Sequence, residues 1–223
     1  MPDSTVYSDI KDEYVTNATT SATWELAQGS ATADGGSFDS TVAYYNYGVY
    51  TRDAGSRGTN DYKCYRSYFM FDLSLESGIL ESATISIFMD NLGSTINDSE
   101  KAILIAATAL DSGVEDHGNV FVSGTIMGKK VSDVISILTT VAYHKFTLTS
   151  EGIVLAQSAI DSGTFLTVGL VGWYNDFMGN TPLGGGEYTK FQVYYSNYIG
   201  TLRNPKMDIT YAKPNATFFG ANF

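Results

Sequence analysis

The sequence predicts an all-β fold, a jelly-roll β-sandwich of two antiparallel sheets with one short helix near residues 150–161. Three observations predict it. The 223 residues include 22 Gly and 16 Tyr but only 17% charged side chains, a composition that favours strands and turns over helices. Short apolar segments with period-two alternation recur between polar loops. A chain of this length also fits one large sandwich domain.

The first half of the chain supplies six predicted strands. They cover residues 4–10, 23–27, 42–51, 65–75, 82–90 and 102–110, and polar loops separate them. The strand at 82–90 alternates most clearly, because its small and apolar residues share one parity: Ala83, Ile85, Ile87 and Met89.

The strand at 65–75 is apolar on both faces. Phe69 and Phe71 lie on one face, and Tyr68 and Met70 lie on the other, between Arg66 and Asp72. A strand of this kind is covered on both sides, so we expect Phe69 and Phe71 in the core. We expect Tyr68 and Met70 to contact a second layer or a second subunit.

The second half adds further strands and the helix. Strands are predicted at 121–127, 145–148, 165–171, 191–195 and 205–211, and residues 132–141 fit either a strand or a short helix capped by Ser132. The helix follows Thr149 or Ser150 as its N-cap and stops at Gly163. These elements divide the chain into three segments. They are an N-terminal arm or first strand over 1–22, the sandwich over 23–212, and a tail over 213–223.

Charge and cysteine content narrow the function classes. The net charge of −11 disfavours binding to phosphate backbones, so we expect no nucleic-acid partner. Cys64 is the one cysteine, which excludes an intramolecular disulfide, and we expect a buried thiol. The first residues lack the pattern of a signal peptide, and the apolar run at 165–174 is too short to cross a membrane, so no membrane partner is expected.

Three motifs in order resemble jelly-roll domains of the DNRLRE type. The first motif is an aromatic strand that ends in Phe71-Asp72-Leu73 and is followed by an alternating strand. The second motif is a strand, a threonine, a helix and a further strand over residues 145–170. The third is a closing strand with Pro205, Met207, Ile209 and Tyr211. The resemblance covers about residues 65–211. It implies a module of phage virion proteins or of surface and adhesive proteins, and it brings no catalytic motif.

Catalytic and metal-binding patterns are weak in this sequence. There are two histidines, His117 and His144, and no G-x-S-x-G motif. Asp72 ends a strand, so we expect it to cap the following turn or to pair with Arg66. Two loops carry oxygen ligands suited to calcium, with Asp34 and Asp39 in one and Asn97, Asp98 and Glu100 in the other. Neither has EF-hand spacing, so we expect turn chemistry and no cofactor.

Aromatic residues are the remaining candidates for binding. The expected interface residues are Tyr68, Met70, Phe218, Phe219 and Phe223, of which the last three lie in an apolar C-terminal tail. The aromatic residues that could stack on a sugar are Trp173, Tyr174, Tyr194 and Tyr195.

The sequence therefore predicts a non-enzymatic structural protein of a virus particle. We expect a phage capsid-decoration, head-fibre or tail component, assembled in the host cytoplasm, that binds other virion proteins or copies of itself. The alternative is a carbohydrate-binding or adhesive module on an extracellular surface, with a surface glycan as its ligand. A polysaccharide-degrading enzyme is a third class, and no residue pair identifies it.

Overall fold

A computed structural model describes the parts of the chain that build the fold. These are residues 3–9, 12–16, 23–24, 44–53, 62–94, 101–107, 121–122, 125–126, 129–137, 141–181, 188–196 and 202–213. Within them the chain forms an all-β sandwich with one short helix, as the sequence predicts.

The elements follow one another along the chain. They are β1 (Ser4–Tyr7), β2 (Glu13–Thr16), β3 (Tyr44–Asp53), β4 (Tyr62–Asp72), β5 (Leu80–Ser94), β6 (Lys101–Ala106), β7 (Phe121–Val122), β8 (Thr125–Ile126), β9 (Ile135–Ser136), β10 (Ala142–Thr147), α1 (Ser150–Ser162), β11 (Phe165–Gly172), a π-helical turn (Trp173–Phe177), β12 (Tyr188–Tyr194) and β13 (Lys206–Tyr211).

Eleven strands form one antiparallel network in the order β1-β13-β5-β12-β3-β4-β11-β6-β9, with β10 on β5 and β2 on β4. Among the described residues, β7 and β8 pair only with each other. The long strand β5 joins the two layers of the sandwich. Its first part lies between β13 and β10, whereas its last residues pair with β12.

The inner faces of the two layers share one apolar core. It contains Phe69 and Phe71 of β4 and Ile85, Ile87 and Met89 of β5, together with residues of β6, β10, β11, β12, β13 and α1. Phe69 and Phe71 are fully buried, which places them as the alternating pattern predicts. The large shared core explains why the two layers hold together.

The helix α1 begins and ends at the residues that the sequence indicates. The Thr149 hydroxyl oxygen accepts a hydrogen bond from the Gly152 amide at 3.3 Å, and Gly163 ends the helix with a left-handed backbone at φ 62°. Its buried face carries Gly152, Ala156, Ala159 and Ile160. Small residues on this face let the helix lie close to the sandwich, and a Cβ at Gly152 would stand only 2.2 Å from the Val131 carbonyl oxygen.

Several elements differ from the prediction at their ends. β1 stops at Tyr7, β4 begins at Tyr62, and β5 continues beyond Asp90 to Ser94. Within 132–141, where a helix and a strand were alternatives, the described residues hold the short strand β9. The π-helical turn and β2 had no counterpart in the sequence analysis.

The N-terminal residues 4–7 and 13–16 are strands of the sandwich. β1 pairs with β13 from Ser4 opposite Ile209 to Tyr7 opposite Lys206, and β2 pairs with β4. Asp12, between them, is buried, and its carboxylate accepts hydrogen bonds from the Ser8 hydroxyl and from the Met70 and Ser196 amides. These contacts attach the N-terminal segment to both β4 and the end of β12.

Candidate subunit-contact surface

The segment 202–205, which leads directly into β13, presents an exposed leucine at one end of the sheet. The Leu202 side chain is 84% exposed, although its backbone lies close to the sheet. The Tyr143 hydroxyl of β10 lies 3.2 Å from the Leu202 carbonyl oxygen and 3.0 Å from the Asn204 carbonyl oxygen, so its one proton is shared between them in a bifurcated hydrogen bond. The Ser8 amide donates to the Pro205 carbonyl oxygen at 2.9 Å. We call this structure the 202–205 loop.

The side chain of Arg203 fixes the loop to an aromatic cluster on the outer face of the sheet. Its Cζ atom lies 5.0 Å from the ring centroids of both Phe88 and Tyr194. Phe88 meets the rings of Tyr143 and Tyr194 edge to face, at centroid distances of 5.1 and 5.2 Å. A cation above two aromatic rings is attracted by the negative face of each ring. Arg203 therefore helps to hold the loop in one position.

Lys206 adds a second cation to this face. Its Nζ atom lies 5.5 Å from the Tyr143 ring centroid and 3.9 Å from Asp208 Oδ2. Burial raises the pKa of Tyr143 above its ordinary value, and nearby Tyr7 adds to the rise. The hydroxyl therefore stays protonated near neutral pH and remains a donor to the loop carbonyls.

The sequence order explains why these residues meet. Phe88 belongs to the outward-facing parity of β5, and Tyr143 stands opposite it on β10. Lys206 stands opposite Ser86 of β5 on the other side and opposite Tyr7 of β1. Tyr7 is 46% exposed, so both Leu202 and Tyr7 present exposed side chains near Tyr143 and Lys206. An exposed apolar patch with an arginine and tyrosines has the composition of a protein contact.

Tyr68 and Met70, the predicted contacts to a second layer or subunit, are buried within the chain itself. Tyr68 packs with Ile103, Ile105 and Val171 in a second cluster, against which Trp173 and Phe177 also pack. Its ring lies over Gly169, where a Cβ would be 3.1 Å from the Tyr68 ring. Both faces of β4 are apolar because other residues of the same chain pack against each of them.

The acidic partner of Arg66 is Asp176 of the π-helical turn, not Asp72. The Arg66 and Asp176 side chains are fully buried beside the second cluster. Asp72 caps the turn after β4 instead, because its Oδ1 accepts from the Ser74 amide at 2.9 Å. Hydrogen bonds from the Ser74 side chain and amide lower the pKa of Asp72.

The four aromatic residues expected to bind sugar lie in two different places. Trp173 and Tyr174 are half-buried on the π-helical turn, and Trp173 stacks on Phe177 at 5.1 Å between centroids. Tyr194 and Tyr195 are buried. The Tyr195 hydroxyl is 2.7 Å from Ser67 Oγ, and its ring stacks on Phe69, so it belongs to the core.

Several predicted sites lie outside the described residues. They are the tail residues Phe218, Phe219 and Phe223 and the calcium-loop residues Asp34, Asp39, Asn97, Asp98 and Glu100. In the part of the chain that the structure describes, no three His, Cys, Asp or Glu side chains converge as a metal site. No helix among those residues has the length and apolar character needed to span a membrane.

The sequence analysis missed the loop residues Leu202 and Arg203. Phe88 was assigned to a strand without a role, and Tyr143 lay between the predicted elements at 132–141 and 145–148 although it belongs to β10. One signal could have found them: an aromatic residue at an outward-facing position of an alternating strand, as at Phe88, requires cover or a partner. The loop that provides the cover is distant in sequence, so its arginine cannot be paired with Phe88 by spacing.

No family model matches the chain, and no curated protein matches it. The functional assignment therefore depends on the surfaces described above.

Proposed function

We propose that the protein is a non-enzymatic structural subunit that acts through contacts with other subunits. Its place would be in a virus particle, as a capsid-decoration, head-fibre or tail component of a phage. The observation that carries the proposal is the exposed Leu202 side chain on a loop that four contacts hold in place.

The loop has the properties of a preformed contact. Burial of a leucine side chain stabilises an interface by about 1.5–3 kcal/mol. A loop that is already ordered loses little conformational entropy on binding, so more of this free energy remains for association. The neighbouring tyrosines and Arg203 are residue types that often dominate binding energy.

The particle assignment is supported by the sequence motifs that resemble phage and surface jelly-roll modules. The sandwich supplies a rigid body on which both a contact loop and an apolar patch can be displayed. A subunit of a particle needs such a body and such a surface, and it needs no reaction centre.

Light scattering coupled to gel filtration tests the contact. The wild-type chain should form oligomers that Leu202→Ala weakens by at least about tenfold, because loss of about 1.4 kcal/mol or more changes the equilibrium constant by that factor. Met178→Ala is the matched control, since Met178 is also exposed but lies after the π-helical turn. A wild-type chain that stays monomeric up to about 1 mM would contradict the proposal.

Mass spectrometry of particles purified from the source tests the location. The protein should be found in the particle fraction at a fixed ratio to the other structural proteins. Its recovery only from cell surfaces would favour the adhesive alternative.

The alternative is a carbohydrate-binding module, and the Trp173 and Phe177 stack is the observation that favours it. Half-buried aromatic rings on an ordered turn offer an apolar face to a ligand. A glycan array would then give a signal that Trp173→Ala removes and Met178→Ala keeps. A blank array with a stable oligomer would reject the alternative.

A further inference from the structure

A groove of about 410 Å³ lies beside the helix α1. One wall consists of Ala106, Lys129 and Val131, and the other consists of Ser150, Glu151, Val154, Leu155 and Ser158 of α1. Val154 and Ser158 also border a second hollow, which is completed by Gln157, Asp161 and Ser162. The two hollows are therefore neighbours along the exposed side of the helix. We call them together the α1 groove.

Both walls of the α1 groove are attached to the sandwich by backbone hydrogen bonds. The Ala106 amide donates to the Lys129 carbonyl oxygen at 2.8 Å, and the Val131 amide donates to the Leu104 carbonyl oxygen at 3.0 Å. The Thr149 amide, at the start of α1, donates to the Val131 carbonyl oxygen at 2.9 Å. A segment that binds between walls that are already ordered loses less free energy to their ordering.

The lining of the α1 groove suits an apolar segment without charge. Val131, Val154 and Leu155 are apolar, and Val154 is 70% exposed. Lys129 and Glu151 are exposed at the rim and carry opposite charges, so neither sign is favoured. A cavity of about 150 Å³ holds one benzene molecule, so the groove has room for two phenyl rings.

The tail of the chain has the composition that this lining suits. Residues 214–223 include Phe218, Phe219 and Phe223, and no charged residue occurs among them. Phenyl rings gain free energy when they leave water for an apolar surface. The tail is therefore a candidate occupant that every copy of the chain carries.

The tail begins next to the α1 groove. The described part of the chain ends at Lys213. The amide of the preceding residue, Ala212, donates to the Ile79 carbonyl oxygen at 2.8 Å. The neighbouring Gly78 carbonyl oxygen accepts from Gln157 Nε2 at 3.1 Å, and Gln157 borders the groove. Lys213 therefore lies near the side of α1 on which the groove opens.

The length of the tail matches the distance across the helix. An extended chain spans about 3.3 Å per residue, so Phe218, five residues after Lys213, can lie up to about 17 Å from it. Val154 is one helical turn from Gln157, and a helix with its side chains is about 10–12 Å wide. Phe218 and Phe219 can therefore reach Val154 from the end of the described chain.

We propose that residues 214–223 bind in the α1 groove of their own chain, with Phe218 and Phe219 against Val154 and Leu155. The short connection gives the tail a higher effective concentration at this groove than a tail from another copy has. This contact goes beyond the proposed function, because it needs no second subunit. It also gives the phenylalanines of the tail a partner within the chain.

Disulfide trapping in the full chain tests the location of the tail. Cys64 is buried and is the one natural cysteine, so it does not compete with introduced thiols. Ser158→Cys combined with Gly220→Cys should form a disulfide within one chain, seen as a faster band of monomer mass that reduction removes. Met178→Cys with Gly220→Cys is the matched control, because Met178 is exposed but follows the end of β11 that is far from α1.

The control pair should cross-link at least about tenfold more slowly, since burial of even one phenyl ring favours the groove by that factor. Equal rates for the two pairs would overturn the proposal. Cross-links that join two chains in place of one would overturn it as well, because the tail would then bind another copy.

Chymotrypsin digestion provides a second test, since this protease cuts after phenylalanine. Val154→Asp places a charge in the groove, so the tail should be cut about tenfold faster than in the wild type. Val154 is exposed, and circular dichroism checks that the variant keeps its fold. Met178→Asp should be cut at the wild-type rate. A tail that is cut equally fast in the wild type and in Val154→Asp would refute binding in the groove.

Light scattering separates this proposal from the proposed function. Val154→Asp should keep the oligomeric state of the wild type, because the tail contact lies within one chain. Loss of oligomers in Val154→Asp would place the tail between copies and overturn the contact within one chain. A monomeric wild type with the Ser158→Cys and Gly220→Cys cross-link intact would contradict the subunit function and leave the tail contact in place.

Discussion

The Arg66 guanidinium forms a two-point ion pair with the Asp176 carboxylate. Nε lies 2.8 Å from Oδ2 and Nη2 lies 2.8 Å from Oδ1, with both side chains fully buried. Burial on its own would lower the pKa of Arg66, but the adjacent Asp176 carboxylate outweighs it, and the pKa is raised. The pair joins β4 to the π-helical turn over 110 residues of sequence.

Asp176→Asn should lower the free energy of unfolding by about 3–5 kcal/mol, because it leaves a buried guanidinium without its countercharge. Urea denaturation measures the loss. Asp208→Asn is the control, since its pair with Lys206 is partly exposed and should be worth less than about 1 kcal/mol. The double variant Arg66→Met with Asp176→Leu should recover most of the stability. Equal losses for Asp176→Asn and Asp208→Asn would contradict the role assigned to the buried pair.

Asp12 should make stability depend on pH near neutrality. Burial raises the pKa of Asp12 from 3.8 to about 7. The hydrogen bonds from Ser8, Met70 and Ser196 lower the pKa, but burial outweighs them. The folded state therefore binds a proton more tightly than the unfolded state. The stabilisation that comes from protonation of Asp12 is fully present below about pH 4, and it is lost as the pH rises through 7.

Asp12→Asn removes this titration while keeping the shape of the side chain. Between pH 4 and 7 the wild type should lose up to about 1.4 kcal/mol per pH unit relative to Asp12→Asn, as measured by urea denaturation at several pH values. Asp133→Asn, at an exposed aspartate, is the matched control and should follow the wild-type profile. Parallel profiles for wild type and Asp12→Asn would show that Asp12 does not titrate in this range.

Gly152→Ala should destabilise the protein, although alanine favours a helix over glycine by about 1 kcal/mol. The added Cβ would stand 2.2 Å from the Val131 carbonyl oxygen, so α1 must move away from the sandwich. Ser158→Ala, at an exposed position of the same helix, should be neutral or stabilising. Thermal unfolding of both variants decides the sign, and a higher melting temperature for Gly152→Ala would refute the close contact.

Tyr143→Phe should loosen the 202–205 loop without unfolding the sandwich. The variant loses the hydroxyl that donates to the Leu202 and Asn204 carbonyl oxygens, at a cost of about 1 kcal/mol. Limited trypsin digestion should cut faster after Arg203. Tyr194→Phe is the comparison, because the Tyr194 hydroxyl donates to Gln192 on the same strand. Equal cutting rates for the two variants would contradict the restraint of the loop by Tyr143.

Local signals in the sequence predicted much of the fold. Thr149 and Gly163 define α1 because cap residues act within one turn of their own position. The alternation from Ala83 to Met89 placed the inward face of β5 because side-chain direction in a strand depends only on parity. Asp72 could be assigned to the turn because its acceptor contact is two residues away.

Pairings between distant segments could not be predicted in this way. By sequence the acidic candidate for Arg66 was the nearby Asp72, and only the position of the π-helical turn brings Asp176 to it. Tyr194 and Tyr195 look alike in sequence, yet the first contacts Phe88 on the outer face and the second enters the core against Phe69. The surface around Leu202 could not be predicted for the same reason. The 202–205 loop meets Phe88 only because β13 pairs with β5, and this pairing joins segments that are distant in sequence.

The pairing of β1 with β13 places a condition on biosynthesis. Ser4 stands opposite Ile209, so β1 lacks its partner strand until residues 206–211 have left the ribosome. β5 likewise lacks a partner along one edge until β12 and β13 are made. We therefore expect closure of the sandwich to follow translation, with folding that is slow because its contacts join distant residues. Nascent chains that end before residue 188 would expose unpaired strand edges, which makes them substrates for chaperones.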